Sequence, residues 1–138
     1  MVHSVLYVSK TLLEPAQAEA ELAQIVAVSR VRNAALGVSG ALVSTGMYFA
    51  QVLEGDREAV DELMQSINAD PRHMRVKIIR VAAEERRFSG WSMAYSGAAG
   101  FVDRHISPFF SPLPDGNAAH LGLRLVTLME EFARLTEV

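Results

Sequence analysis

Short strand-like runs alternate with long helical patterns along the first hundred residues, and this alternation restricts the fold more than any other feature. Residues 4–9 are rich in β-branched and aromatic side chains, which predicts a strand. Residues 16–35 contain strong helix formers without Gly or Pro, and Pro15 suits the first turn of that helix. Residues 40–44 and 48–54 predict two further strands joined by a tight turn.

The second half of this region repeats the alternation. Asp56 can cap a second helix, which Asp70-Pro71 ends. Residues 76–82 predict a fourth strand and residues 91–95 a short fifth one. The order β-α-β-β-α-β with an added strand predicts a ferredoxin-like α+β fold, in which both helices cover one face of a mixed sheet. The second helix carries its apolar stripe at Val60, Leu63, Met64 and Ile67.

The composition changes after Gly97, so the chain divides into a domain of residues 1–97 and an extension of residues 98–138. Residues 97–100 resemble a linker, and residues 107–116 hold three prolines. A final helix is predicted at about residues 118–135. We expect this extension to pack against the sheet or against a second subunit.

The bulk properties exclude several classes of protein. A chain of 138 residues fits one domain, and the absence of cysteine excludes disulfides and thiol chemistry and fits a reducing cytoplasm. The longest apolar runs are too short to span a membrane. A net charge of −3 gives no general attraction to nucleic acid, and the two basic spots at residues 72–77 and 86–87 are interpreted as solvated surface or anion contacts. The four histidines have no metal-ligand spacing.

Polar residues occur where the pattern of the strands calls for apolar ones. Period-two alternation places Gln51 on one strand face with Phe49 and Leu53, and a buried amide left unpaired would cost about 1–3 kcal/mol. Tyr7 lies in the middle of the first strand. Taken singly, the glutamine could face solvent and the tyrosine could be ordinary core.

Other residues join this set through helix and strand periodicity. Asn33 falls on the same helix face as Ile25, and Trp91 and Met93 share one face of the predicted fifth strand. Since the first and third strands of a ferredoxin-like sheet are neighbours, Tyr7 can reach Gln51 beneath both helices. The resulting slot would suit a flat, largely apolar ring with a polar edge. No glycine-rich phosphate loop is present in the sequence.

Five segments, in order and spacing, resemble the BLUF family of blue-light sensors across about residues 3–96. They are Leu6-Tyr7-Val8-Ser9 with Asn33, Val38-Ser39-Gly40-Ala41-Leu42, Phe49-Ala50-Gln51-Val52-Leu53-Glu54-Gly55, Asp70-Pro71-Arg72-His73, and Arg87-Phe88-Ser89-Gly90-Trp91-Ser92-Met93. The resemblance implies a flavin between the two helices, usually FAD, with FMN or riboflavin as other possibilities.

The resemblance also implies roles for individual residues. Tyr7 matches the electron and proton donor, Gln51 the switching amide, and Trp91 and Met93 the pair that relays the change. The cofactor-binding residues implied by position are Ile25, Asn33, Gln51, Ile67, Asp70, Arg72 and His73. Arg32 stands where some relatives carry His or Asn, and a phosphate contact is open to it.

The function that follows is light sensing without turnover. Excitation of the flavin would draw an electron and a proton from Tyr7, and their return would leave Gln51 rearranged by rotation or tautomerisation, with a red-shifted flavin. About 40 residues remain for the output, so the signal would pass through a protein partner or a homo-oligomer.

Two other classes stay open from the residues alone. One is an enzyme, either a small flavin redox protein or an acylphosphatase-type hydrolase, for which Glu54 could serve as a base. The other is a ligand-binding regulatory module without flavin.

Overall fold

A five-stranded mixed sheet forms the centre of the protein, which we describe from a computed structural model covering residues 1–97, 102–111 and 117–135. Its strand order is β4-β1-β3-β2-β5, and all neighbours run antiparallel except the parallel pair β2 and β5. The α+β ferredoxin-like fold is therefore confirmed, with β1 beside β3. The strands are β1 (Val2–Thr11), β2 (Ser39–Ser44), β3 (Tyr48–Gly55), β4 (His73–Glu84) and β5 (Ala94–Gly97).

Helices α1 (Pro15–Ala35) and α2 (Arg57–Ala69) cover one face of the sheet. The predicted stripe of α2 is confirmed, since Val60, Leu63 and Met64 are buried and Ile67 packs against them. In α1 the buried side chains are Leu22, Val26 and Asn33. Asp56 occupies the N-cap position of α2, but its side chain makes no capping hydrogen bond.

The opposite face, here called the reverse face, is covered by the C-terminal helices. These are α3 (Asp103–Ile106), a 3₁₀-helix (Ser107–Phe110) and α4 (Asn117–Leu135). Leu6 and Val8 of β1 pack there in one core with Leu125 and Met129 of α4. The extension thus packs against the sheet, the first of the two expected arrangements. Of the predicted linker at residues 97–100, Gly97 ends β5 and residues 98–100 lie outside the described residues.

The predicted fifth strand is present, but its predicted start is wrong. It begins at Ala94 instead of residue 91, so Trp91 and Met93 precede it. The segment before it bends at Gly90, whose φ is +87°, and strand alternation does not hold there. In consequence the two side chains do not share a face: Met93 is buried with the α1 and α2 helices, whereas Trp91 packs against the core of the reverse face.

Candidate functional site

A cavity of about 330 Å³ lies between α1, α2 and the sheet. This volume falls at the lower end of small-molecule pockets, which span roughly 300–1,000 Å³. Its walls combine apolar side chains of both helices with polar groups from the strands and from the start of β4. The lining residues are Tyr7, Gln24, Ile25, Val28, Ser29, Arg32, Asn33, Leu42, Phe49, Gln51, Leu53, Leu63, Ser66, Ile67, Asp70, Arg72 and His73.

Tyr7 and Gln51 are directly paired residues of β1 and β3, and they form part of the cavity wall on the sheet. The hydroxyl of Tyr7 donates a hydrogen bond to Oε1 of Gln51. Nε2 of Gln51 in turn donates to Sδ of Met93 at 3.6 Å. All three side chains are buried, with exposed fractions of 3%, 6% and 1%. A continuous chain therefore runs from a phenol through an amide to a thioether.

Its buried position changes the acidity of Tyr7. Burial raises the pKa of its hydroxyl well above the ordinary value near 10, and the carboxylate of Asp70 raises the pKa further. The phenol is therefore protonated at neutral pH and available as a hydrogen-bond donor to the amide.

Two side chains of α1 hold the segment that carries Met93. Nδ2 of Asn33 donates to the carbonyl oxygen of Ser92 at 2.9 Å, and Nε of Arg30 donates to that of Met93 at 3.0 Å. Asn33 is buried and also lines the cavity. Because successive carbonyls are tied to the same helix, the position of Met93 depends on the position of α1.

The start of β4 closes another side of the cavity. The carboxylate of Asp70 accepts from Nε and Nη2 of Arg72 and from the Arg72 backbone, and the hydrogen bond from the Arg72 side chain is the main reason that the pKa of Asp70 is lowered. The ring of His73 bridges Oγ of Ser9 at 2.8 Å and the carbonyl oxygen of Ile67 at 2.6 Å. A carbonyl only accepts, so Nε2 of His73 carries a proton.

At the exposed rim, Nη2 of Arg32 donates to Oγ of Ser66 at 2.7 Å. Arg32 belongs to α1 and Ser66 to α2, so this contact joins the two helices across the cavity. The guanidinium of Arg32 is exposed at this edge, where a phosphate group of a ligand could be bound.

The structure brings together nearly all the side chains that the sequence suggested. Eight predicted residues line the cavity, Met93 contacts it through Gln51, and Trp91 does not line it. Sequence reasoning missed Phe49, Leu42 and Ser29 as lining residues. Strand alternation with Gln51 and the helix face of Asn33 could have identified Phe49 and Ser29.

Glu54, considered above as a base, is fully buried outside this cavity. Its carboxylate accepts from the Ser39 hydroxyl at 2.8 Å and from the backbone N–H groups of Arg87 and Phe88 at 2.9 and 2.7 Å. These donors bind both carboxylate oxygens, so Glu54 anchors the connection that follows β4. Nη1 of Arg87 also donates to Glu130 of α4 at 2.6 Å, which attaches the same connection to the C-terminal helix.

The side chains present fit a flavin ring. Ile25 and Ile67 supply an apolar wall from each helix, while the amides of Asn33 and Gln51 place donors and acceptors in the interior. Amide groups of this kind suit the carbonyl and nitrogen edge of a planar heterocycle. The residues that would hold the ring are therefore Ile25, Asn33, Gln51 and Ile67.

Comparisons with known proteins identify the family of this chain. The BLUF family model, described as sensors of blue-light using FAD, matches residues 2–94. The chain belongs to this family. The dark-state structure of BlrB, a BLUF protein, has a TM-score of 0.70 and 34% identity, covering 91% of this chain and 94% of that one.

Curated relatives are similar over the sensor region. The photoactivated adenylate cyclase subunit alpha of Euglena gracilis is 39% identical over 82 residues, which are 58% of this chain and 8% of that protein. The blue light- and temperature-regulated antirepressor BluF of Escherichia coli (strain K12) is 35% identical over 69 residues, 49% of this chain and 17% of that protein. The chain thus spans less than a fifth of the length of these relatives.

Two features are absent from the described residues. None of their helices is both long and apolar enough to cross a membrane. They also contain no group of three or more His, Cys, Asp or Glu side chains that could hold a metal ion.

Proposed function

We propose that this chain is a cytoplasmic blue-light photoreceptor that binds FAD between α1 and α2 and performs no turnover chemistry. The observation that carries the proposal is the buried chain from Tyr7 through Gln51 to Met93 at the cavity wall. A flavin held there would supply a ring that absorbs blue light and that could take up an electron and a proton when excited. The other steps belong to residues of the protein.

Tyr7 is the donor of that electron and proton. Its hydroxyl proton lies on the bond to Oε1 of Gln51, so the amide is the first group to sense any change at the phenol. When electron and proton return, the phenol is restored and only the amide is left rearranged. Rotation or tautomerisation of Gln51 exchanges its donor and acceptor directions, with a free energy comparable to one hydrogen bond, about 0.5–1.5 kcal/mol.

Met93 is the group that registers the new amide. A thioether accepts a hydrogen bond weakly and cannot donate one, so an amide oxygen turned toward Sδ would lose the present contact. Met93 would then move, and its backbone is bound to Arg30 and continues into β5. The pairing of β5 with β2 and the packing of α4 on the reverse face offer a path to a protein partner or a second copy.

The enzyme alternatives receive less support. A hydrolase or dark redox enzyme needs a base or a reactive group beside its substrate. Glu54, the candidate base, lies outside the cavity, and its carboxylate accepts three hydrogen bonds there. The acidic side chain that does line the cavity, Asp70, is bound to Arg72.

The test is the visible spectrum of the purified protein, recorded in darkness and after a blue flash. Wild type should show oxidised-flavin bands that shift slightly to the red and recover in the dark. Gln51→Leu keeps a similar volume without the amide and should bind flavin without the shift. Met64→Leu replaces a buried methionine of α2 that does not line the cavity and makes none of these hydrogen bonds, so it is the matched control and should behave as wild type.

Either of two results would contradict the proposal. A protein without flavin, even after refolding with FAD, would leave the fold and the family without the photoreceptor function. A flavin that bleaches permanently, or oxidises NAD(P)H in the dark, would favour the redox enzyme.

A further inference from the structure

A second cavity, here called the cationic groove, shares no lining residue with the flavin cavity. It is an open groove of about 500 Å³ between the start of β4 and the 3₁₀-helix. The lining residues are Arg75, Val76, Lys77, Phe109, Phe110 and Ser111.

Three cations converge on this groove from two adjacent strands. Nζ of Lys10 and the guanidinium carbon of Arg75 each lie 5.5 Å from the centre of the Phe110 ring. Nζ of Lys77 donates to the carbonyl oxygen of Phe109 at 2.8 Å. Within the described part of the chain none of the three forms an ion pair, so their charge is not neutralised by these residues.

The groove is held in shape by ordered aromatic and backbone geometry. The ring of Tyr48 stacks on Phe110 at 5.2 Å with an interplanar angle of 13°. Arg75 has a φ of +56° and, among the described residues, is the non-glycine residue with positive φ. That conformation costs about 1–2 kcal/mol per residue, and it accompanies an arginine placed over an aromatic ring beside an open groove.

We propose that the cationic groove binds an acidic segment of a partner protein. Its carboxylates would pair with Lys10, Arg75 and Lys77, and its apolar side chains would lie against the partly exposed ring of Phe110. This inference goes beyond light sensing and does not depend on it, since no residue of the groove lines the flavin cavity.

The arrangement of the donors favours a peptide over a free phosphate. The cations are spread over two strands and around one ring, and Lys77 is partly engaged by a carbonyl. A single phosphate would require donors directed at one point. An extended segment with several carboxylates and apolar residues matches both the spread of charge and the apolar floor.

The experiment uses the full chain in darkness and a short fluorescent peptide of glutamates interspersed with leucine and phenylalanine. Fluorescence anisotropy should show binding that weakens as salt is added. Lys10→Glu combined with Arg75→Gly should weaken it at least about fivefold, as expected from losing two exposed ion pairs. Glycine adopts the backbone angle of Arg75 without strain, so this variant keeps the fold, which circular dichroism verifies.

The matched control is Arg57→Glu, which reverses an exposed cation on α2, whose side chain is 79% accessible. It should leave peptide affinity within twofold of wild type. Failure of the peptide to bind at low salt would overturn the proposal, as would equal weakening by the control. If inorganic phosphate displaced the peptide at equal concentration, the groove would be a site for small anions and the proposal of a peptide site would be wrong.

Discussion

The sulfur of Met93 lies 3.6 Å from the amide nitrogen of Gln51, although 42 residues separate them in the chain. This contact orients the amide, because the nitrogen faces an acceptor while the oxygen accepts from Tyr7. Trp91, two residues earlier, packs with the core of the reverse face instead. The side chain that can sense the amide is thus a flexible thioether whose backbone is held by α1.

The first prediction concerns that thioether. Met93→Leu conserves volume, so it should cost less than about 1.5 kcal/mol of stability and retain flavin and the red shift. It removes the acceptor that the returning amide regains, and dark recovery should slow about two- to fivefold. Recovery is measured at a single visible wavelength after a flash. Met64→Leu should recover at the wild-type rate. A Met93→Leu variant that also recovers at the wild-type rate would show that the contact between Met93 and Gln51 does not influence dark recovery.

The second prediction follows from the raised pKa of Tyr7. An unfolded tyrosine ionises near pH 10 whereas Tyr7 in the fold stays protonated to higher pH. Its contribution to stability is complete below pH 10 and is lost as the pH rises toward the folded-state pKa, by about 1.4 kcal/mol per pH unit. Urea unfolding measures the free energy of unfolding at pH 8 and at pH 11. Between these pH values it should fall by about 1 kcal/mol more in wild type than in Tyr7→Phe. Equal losses of unfolding free energy in wild type and Tyr7→Phe would contradict a raised pKa for Tyr7.

Arg32 provides a test of how the flavin is held. If its guanidinium binds a phosphate at the rim, Arg32→Ala should weaken the binding of FAD and FMN about fivefold. This change corresponds to roughly 1 kcal/mol, the contribution of one exposed ion pair. Riboflavin has no phosphate, and its affinity should not change. Fluorescence titration of the apoprotein with the three flavins gives the affinities, with Arg57→Ala as control. A uniform weakening of all three would assign Arg32 to the joining of α1 and α2 through Ser66.

Glu54 offers a test of the connection that precedes Met93. In Glu54→Gln one acceptor oxygen becomes an NH₂ group facing a hydroxyl or backbone donor. The free energy of unfolding should fall by about 1–3 kcal/mol, the cost of leaving buried polar groups unpaired. Glu62→Gln on the exposed side of α2 should stay within about 0.5 kcal/mol of wild type. Urea unfolding measures the stability of both variants. A Glu54→Gln variant as stable as Glu62→Gln would mean that the hydrogen bonds of the Glu54 carboxylate do not stabilise the fold.

The order and type of the elements could be predicted because their signals are local. Helix periodicity, the proline that opens α1 and the Asp70-Pro71 that ends α2 act within a few residues of each boundary. The start of β5 could not be predicted, since Gly90 bends the chain and pairing with β2 decides where the strand begins. Strand alternation therefore does not hold for Trp91 and Met93, which precede the strand.

The sequence of β1 contains a signal that the C-terminal helices cover the second face of the sheet. Leu6 and Val8 alternate with Val5 and Tyr7, and all four are buried. A strand that is apolar on both faces is typical of a sheet covered on both sides. In the site, family resemblance located the side chains, but the bonds of Arg30 and Asn33 to carbonyls of the bent segment depend on its tertiary position.

The covered reverse face sets a limit on protein engineering with this sensor. Removing the chain after residue 97 would uncover Leu6, Val8, Val43 and Val52, which now share a core with α3 and α4. Burial of one such side chain is worth about 1.5–3 kcal/mol, and a shortened chain would gain an exposed apolar surface that favours aggregation. A fusion meant to put another protein under light control should therefore carry α4 with the sensor and be joined beyond it.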